Sequence, residues 1–372
     1  MDRYIYKDGK KMRYGYTTGS CATAAAKAAA RMLVNREKLE YITIDTSKGW
    51  KLNLELEDIV LNEEYVQCSV KKDAGDDPDI TDGIKIFAKV ERTSEKGIDI
   101  TGGEGIGIVT KKGLAVDIGK YAINPTPRRT IEEEVKSEIP LDWGIKVTIF
   151  SPEGVEIGKK TFNPLLGIEG GISIIGTTGI VEPMSEEAFK DSLAIEVSVK
   201  KEEGIRKLIL SPGNYGRDFS KSMGLDTNYL IKTSNFIGFM LDKIKEYGIK
   251  EILWVGHIGK MIKVAAGIFH THSRISDARM ETLSAYSALL GADIDLIENI
   301  MKSNTTEEAI EYIKDWDREK EFFELIAGRI SDRCNRRLNN SVRVGTIIFS
   351  QQYGVLGKCN NADDMMRGFK LE

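Results

Sequence analysis

Glu251-Ile252-Leu253-Trp254-Val255 runs straight into Gly256-His257-Ile258-Gly259-Lys260. A run this short and apolar suits a strand buried on both faces, as in a parallel sheet covered by helices. Working outward, the same construction recurs three times. Lys207-Leu208-Ile209-Leu210 runs into Ser211-Pro212-Gly213-Asn214-Tyr215-Gly216. Thr346-Ile347-Ile348-Phe349 runs into Ser350-Gln351-Gln352-Tyr353-Gly354. Gly171-Ile172-Ser173-Ile174-Ile175 runs into Gly176-Thr177-Thr178-Gly179. In open sheets of this kind, ligands sit in the crevice beyond the strand carboxyl ends. Glycine there lets the backbone approach a ligand closely. All four tips are therefore expected to line one pocket.

Helical patterns alternate with these runs over 185–200, 235–247, 260–269, 282–290, 305–316 and 319–338. Such alternation predicts a doubly wound, Rossmann-like α/β domain. The amino-terminal part reads differently. An alanine-rich helix is expected over 22–33, capped by Thr18 or Ser20. Strand-like segments follow at 41–45, 51–56, 65–71, 84–91 and 147–150, with polar turns between them. That is an α+β domain with a mostly antiparallel sheet. Asn163-Pro164-Leu165-Leu166-Gly167 punctuates the chain, so domains are expected over 1–165 and 166–372.

The chain has 372 residues, 41% hydrophobic and 30% charged, with a formal net charge of -4. This is an ordinary globular balance without the basic footprint of a nucleic-acid binder. No apolar stretch of signal-peptide or membrane-spanning length is present in the sequence. Cys21, Cys68, Cys334 and Cys359 are scattered and form no CxxC pair. That pattern fits a reducing cytoplasm and argues against structural zinc or a disulfide framework.

Several segments carry candidate chemistry. His257, His270 and His272 are the only histidines. The HxH pair with Asp277 is a weak zinc pattern, and one imidazole alone suits acid–base work. Lys72-Asp73-Ala74-Gly75-Asp76-Asp77-Pro78-Asp79 gathers four carboxylates without EF-hand spacing. Their repulsion calls for a cation, arginine partners or a ligand with donors. Gly102-Gly103-Glu104-Gly105-Ile106-Gly107 fails as GxGxxG and reads as a loop near a ligand. Tyr14-Gly15-Tyr16-Thr17-Thr18-Gly19-Ser20-Cys21 opens a helix, where free N–H groups suit a carboxylate and the field lowers a thiol pKa. Asn124-Pro125-Thr126-Pro127-Arg128-Arg129 and Gly158-Lys159-Lys160-Thr161-Phe162-Asn163-Pro164 are basic loops, and arginine grips carboxylates bidentately. Together they suggest a ligand with several carboxylates.

Taken in order, these stretches resemble the cobalt-precorrin-5B methyltransferase family of the anaerobic cobalamin pathway, which methylates carbon 1. The resemblance runs on through Gly170-Gly171-Ile172-Ser173-Ile174-Ile175-Gly176-Thr177-Thr178-Gly179, Ser211 to Gly216, Gly256 to Lys260, Thr271-His272-Ser273 and Asp277-Ala278-Arg279-Met280-Glu281. It implies methyl transfer from S-adenosylmethionine to a cobalt corrinoid, giving cobalt-precorrin-6A. Cobalt arrives inside the macrocycle, so no protein-bound metal is expected. The partner is this small molecule, with no nucleic acid or membrane, and a homo-oligomer or passing contact with neighbouring pathway enzymes is open.

Loop position then assigns the residues. The first domain is expected to meet the corrinoid and the second the cofactor. Cofactor contacts fall to Gly176, Thr177, Thr178, Gly179, Ser211, Gly213, Asn214 and Gly256. Substrate contacts fall to Thr17, Thr18, Ser20, Arg128, Lys260 and His272. His257, Asp73 and Glu104 are the catalytic candidates. Displacement at a sulfonium needs alignment and exclusion of water more than a strong base. Two rivals remain. A nicotinamide-dependent reductase needs a GxGxxG turn, for which Gly176-Thr177-Thr178-Gly179 is too short. A corrinoid carrier would not bind S-adenosylmethionine.

Overall fold

The structure is a computed structural model and describes residues 2–7 and 9–371. Met1 and Asp8, within the amino-terminal stretch read for a targeting segment, lie outside the described residues, as does Glu372. The chain divides into two compact units, Met1–Glu186 and Glu187–Glu372.

The first unit is built on helix α1 (Thr18–Asn35), with Thr17 as its cap. Ala22, Ala24, Ala25, Ala26, Ala28, Ala29 and Ala30 are all fully buried. A helix apolar over most of its surface must be largely surrounded, and α1 packs on strands and on a second helix, with only Lys27 and Arg31 charged along it. Strands β1 (Tyr41–Asp45) and β2 (Lys51–Glu55) form an antiparallel hairpin. Their strict alternation buries Ile42, Ile44, Leu52 and Leu54 on one face. The main sheet comprises β3 (Glu57–Leu61), β4 (Tyr65–Lys71), β5 (Lys85–Thr93), β6 (Gly97–Gly102) and, after helix α2 (Pro125–Lys136), β7 (Gly144–Phe150). Its order is β3-β4-β5-β7-β6, antiparallel except for the parallel pair β7 and β6.

The second unit begins in α3 (Glu186–Glu202). Then come β8 (Lys207–Ser211), α4 (Tyr215–Ser222), β9 (Leu230–Lys232), α5 (Ile237–Glu246), β10 (Glu251–His257) and α6 (Ile258–Ala265). Four helices follow: α7 (Arg279–Leu289), α8 (Ile294–Lys302), α9 (Thr306–Lys314) and α10 (Glu319–Arg337). Strands β11 (Arg343–Ser350) and β12 (Gly354–Lys358) complete the sheet. Its order is β9-β8-β10-β11-β12, parallel until β12 runs back along β11. The central strands are buried nearly end to end, which is why they read as unbroken apolar runs.

One of the four repeated runs belongs elsewhere. Gly171-Ile172 makes a two-residue parallel pairing with Gly105-Ile106, and Ile174 bridges Ile123. The Gly176 tip therefore belongs to the first unit, whereas the other three end strands of the parallel sheet. A Cβ at Gly171 would meet Gly105 O at 2.1 Å, so the backbones touch there. Ile172 and Ile174 are apolar because they enter the core around α1. A buried loop layer and a buried strand select the same short apolar run.

Candidate functional site

From β8 the chain passes to β9 on one side, then crosses to β10 on the other. The strand order thus reverses between Ser211 and His257, and such a switch point opens a crevice at the carboxyl ends. Three predicted tips, after β8, β10 and β11, sit on these neighbouring strands. Two glycines are sterically fixed: a Cβ at Gly216 would come 1.6 Å from Ser211 Oγ, and one at Gly256 would come 2.4 Å from Met261 Cγ. Gly213 differs, with open space where its side chain would be.

Lys260 spans the crevice, donating from Nζ to Pro212 O at 2.9 Å. Lys232, the last residue of β9, donates to Asn214 Oδ1. Burial, then the charges of Lys232 and Lys263, hold the Lys260 ammonium below its usual pKa. Behind them, buried Lys263 donates to Thr271 O at 3.2 Å and Ser276 O at 2.8 Å. Desolvation, the largest influence, lowers its pKa too.

His257 caps α6, its Nδ1 accepting from Gly259 N–H at 3.1 Å. That acceptor role places the ring proton on Nε2, which donates to Glu307 Oε1 at 2.9 Å. The other carboxylate oxygen of Glu307 accepts from Ser350 Oγ at 2.6 Å. Ser350 Oγ in turn accepts from Gln352 N and Tyr353 N. The carboxylate lies between serine and histidine, which is not triad order, where histidine stands in the middle. With both nitrogens engaged, His257 has no free lone pair for a substrate proton in this arrangement. Ser350 and Glu307 join the tips of β11 and β10 to the first turn of α9.

His272 sits beyond the crevice loops, its Nδ1 accepting from Arg274 N at 3.2 Å. Asp277 is held by both Arg279 nitrogens, at 2.7 and 2.8 Å, and that pair lowers its pKa. Among the described residues, no three His, Cys, Asp or Glu side chains are grouped as a metal ion requires.

The other predicted positions lie in the first unit. Gly19 N donates to Ile175 O at 3.0 Å, Thr17 N to Gly179 O at 3.2 Å and Ser20 Oγ to Gly179 O at 2.6 Å. Thr18 Oγ1 donates to Ser173 O at 3.1 Å and accepts from Ile175 N at 3.0 Å. Thr17 Oγ1 accepts from Ser20 N at 3.2 Å. The helix start is thus folded against the 173–179 loop, leaving a recess of about 10 Å³ beside it, the size of one water. Thr177 and Thr178 face solvent. Arg128 is exposed in the first turn of α2. Glu104 is also exposed, on the turn between β6 and Gly105. Cys21 departs from expectation: it is fully buried, and desolvation pushes its thiol up to about 12 despite the helix start.

The acidic loop finds its counter-charges inside the protein. Asp73 takes both Arg13 guanidinium nitrogens, at 2.5 and 2.7 Å, and Gly75 N at 2.8 Å. Arg13 is the main reason the Asp73 pKa falls. Asp79 pairs with buried Lys72 at 2.5 Å. Asp76 accepts from Arg13 N at 2.5 Å, and Asp77 from Met184 N at 2.7 Å. A cavity of about 360 Å³ beside the loop is lined by Glu55, Glu57, Asp73 and Asp82 along with Lys71 and Lys72. Its acidic balance is the wrong sign for a ligand rich in carboxylates.

The family model described as CbiD matches residues 5–183, and the one described as CbiD, C-terminal domain matches residues 270–360. A protein of Alkaliphilus metalliredigens named cobalt-precorrin-5B C(1)-methyltransferase is 50% identical, over 100% of this chain and 99% of its own. One of the same name from Thermoanaerobacter sp. is 49% identical over 96% of this chain and 98% of its own. The chain belongs to the CbiD family. A crystal structure of a cobalamin biosynthesis protein (cbiD) from Archaeoglobus fulgidus is 27% identical, covering 75% of this chain and 87% of that chain, with a TM-score of 0.40. Among the described residues no helix is long and apolar enough to cross a membrane.

Sequence reasoning passed over Lys232, Glu307 and Ser350 as site residues. Glu307 looks like an ordinary first-turn acid answering the helix dipole. Lys232 ends a strand of three residues, too short to announce itself.

Proposed function

We propose that this chain transfers a methyl group from S-adenosylmethionine to carbon 1 of cobalt-precorrin-5B, giving cobalt-precorrin-6A in cytoplasmic cobalamin biosynthesis. The observation that carries the placement is the reversal of strand order between Ser211 and His257, with the tip of β11 beside that of β10. The names of the full-length relatives support the reaction.

The crevice residues fit the donor. Gly213 leaves room for a ligand, and Ser211 and Asn214 offer polar groups at the tip of β8. Lys232 and Lys260 bring positive charge, and neither has a carboxylate partner among the described residues. Bound there, S-adenosylmethionine supplies an electrophilic methyl group on a sulfonium. The protein's part is to align the acceptor carbon and exclude water. His257 acts as a positioning residue, holding the tip of β10 through Gly259 N and Glu307.

Incubating the protein with cobalt-precorrin-5B and methyl-labelled S-adenosylmethionine tests the reading. Label in the corrinoid together with released S-adenosylhomocysteine supports it. Corrinoid binding with no affinity for either sulfur compound identifies a carrier instead.

A further inference from the structure

Lys232 ends β9 and Lys260 lies in the first turn of α6, both at the switch-point crevice. Each ammonium is held only by a neutral oxygen: Asn214 Oδ1 for Lys232 and Pro212 O for Lys260. Both acceptors belong to one loop, so the two cations converge on the Ser211–Gly216 tip. Some buried or half-buried cations of the chain are answered by carboxylates, as Lys72 is by Asp79 and Lys27 by Glu134, and buried Lys263 by two backbone oxygens. Lys232 and Lys260 have no carboxylate partner among the described residues, although two ammonium groups repel and one of them is half buried. Keeping such a pair without an acid is costly unless an anion completes it. Lys232 is exposed and alone would be left unanswered at little cost, but Lys260 beside it is half-buried.

We propose that Lys232 and Lys260 form a carboxylate clamp that grips the α-carboxylate of the methyl donor. The inference rests on the placement of the donor in this crevice. Its chemistry is specific. An aliphatic carboxylate accepts from both ammonium groups, while Pro212 O and Asn214 Oδ1 accept from the same lysines or from the adjacent α-ammonium of the ligand. Adenine and ribose carry no negative charge and gain less from the pair than a carboxylate does.

The test uses calorimetry on the full chain with two probes. S-adenosylhomocysteine carries the carboxylate, and 5′-methylthioadenosine lacks the whole amino-acid arm. Lys260→Met and Lys232→Met are each expected to weaken S-adenosylhomocysteine by about 10- to 100-fold, as loss of a charge-assisted bond does. Methylthioadenosine binding is expected to stay within about twofold, and it also reports that the variants are folded. Equal loss for both probes, or unchanged S-adenosylhomocysteine affinity, overturns the clamp. The second result would leave the lysines to a carboxylate of the macrocycle. Should the unaltered protein bind neither probe, the donor placement itself falls, a result distinct from failure of the clamp alone.

Discussion

His257 Nε2 and Glu307 Oε1 stand 2.9 Å apart, and that bond fastens the tip of a central strand to the first turn of a helix fifty residues later in the chain. Glu307 also receives Ser350, so one carboxylate orders two neighbouring tips. Glu307→Ala leaves the His257 N–H and the Ser350 hydroxyl without their acceptor. We expect a loss of about 1–3 kcal/mol in stability, the usual range for a hydrogen-bonded charged group. Glu307→Gln keeps an acceptor for His257 but turns a donor toward Ser350, and should cost less. Urea unfolding of the two variants measures the order, and equal losses would show that the carboxylate is not what holds the tips.

Gly179 has a φ of 80°, in the left-handed region, and a Cβ there would lie 2.9 Å from Ser20 Oγ. Gly179→Val is therefore expected to lower stability by about 2 kcal/mol or more, through backbone strain and the clash at the start of α1. Gly213→Ala, in open space, should leave the thermal midpoint close to that of the unaltered protein. Thermal unfolding of both variants checks the contrast.

Burial pushes the Glu196 carboxyl up to about 7, outweighing Lys200 and Arg217, which pull it down. In the unfolded chain the same group titrates near ~4.3. Between those values the folded state binds the extra proton, so stability falls as pH rises from about 4.3 to 7 and levels off above. The effect should be on the order of 1–2 kcal/mol, reduced from the full shift by partial solvent contact. Glu196→Gln should flatten that limb of the stability profile. An unchanged slope in denaturant titrations across this range would contradict it.

Cys21, Cys68 and Cys334 are buried, and desolvation holds each thiol up to about 12. None should react with iodoacetamide in the folded protein at pH 8, and all should react in urea. Peptide mass mapping distinguishes the two. Cys21→Ala should retain methyl transfer, since a neutral buried thiol is no nucleophile.

Much of the site could be read from residue order. The runs ending at Ser211, Gly256 and Ser350 are strands whose tips are neighbours, because an apolar run stopped by small residues has few other uses in an alternating pattern. The run ending at Gly176 has the same spelling but a different address. Its partners, Gly105 and Ile123, are distant in sequence, and nothing local marks them. The hydroxyls of Thr17, Thr18 and Ser20 illustrate a second limit. A helix start offers the same donors and acceptors to a ligand or to the protein itself, and here residues 173–179 engage Thr18 and Ser20 while Thr17 Oγ1 accepts from Ser20 N. Counter-charges are similarly invisible: Arg13 reaches Asp73 across sixty positions of chain. The boundary between units, at Glu186, falls at the start of what reads as one helix, three residues after Pro183.

The seven enclosed alanines of α1 leave the first unit without slack. All seven are fully buried, and an alanine has no rotamer that can swing aside for a larger neighbour. Randomising the seven alanine positions should yield mostly aggregating variants, with survivors confined to glycine or serine. Anyone redesigning this protein for another macrocycle should treat that rod as fixed and vary the loops instead.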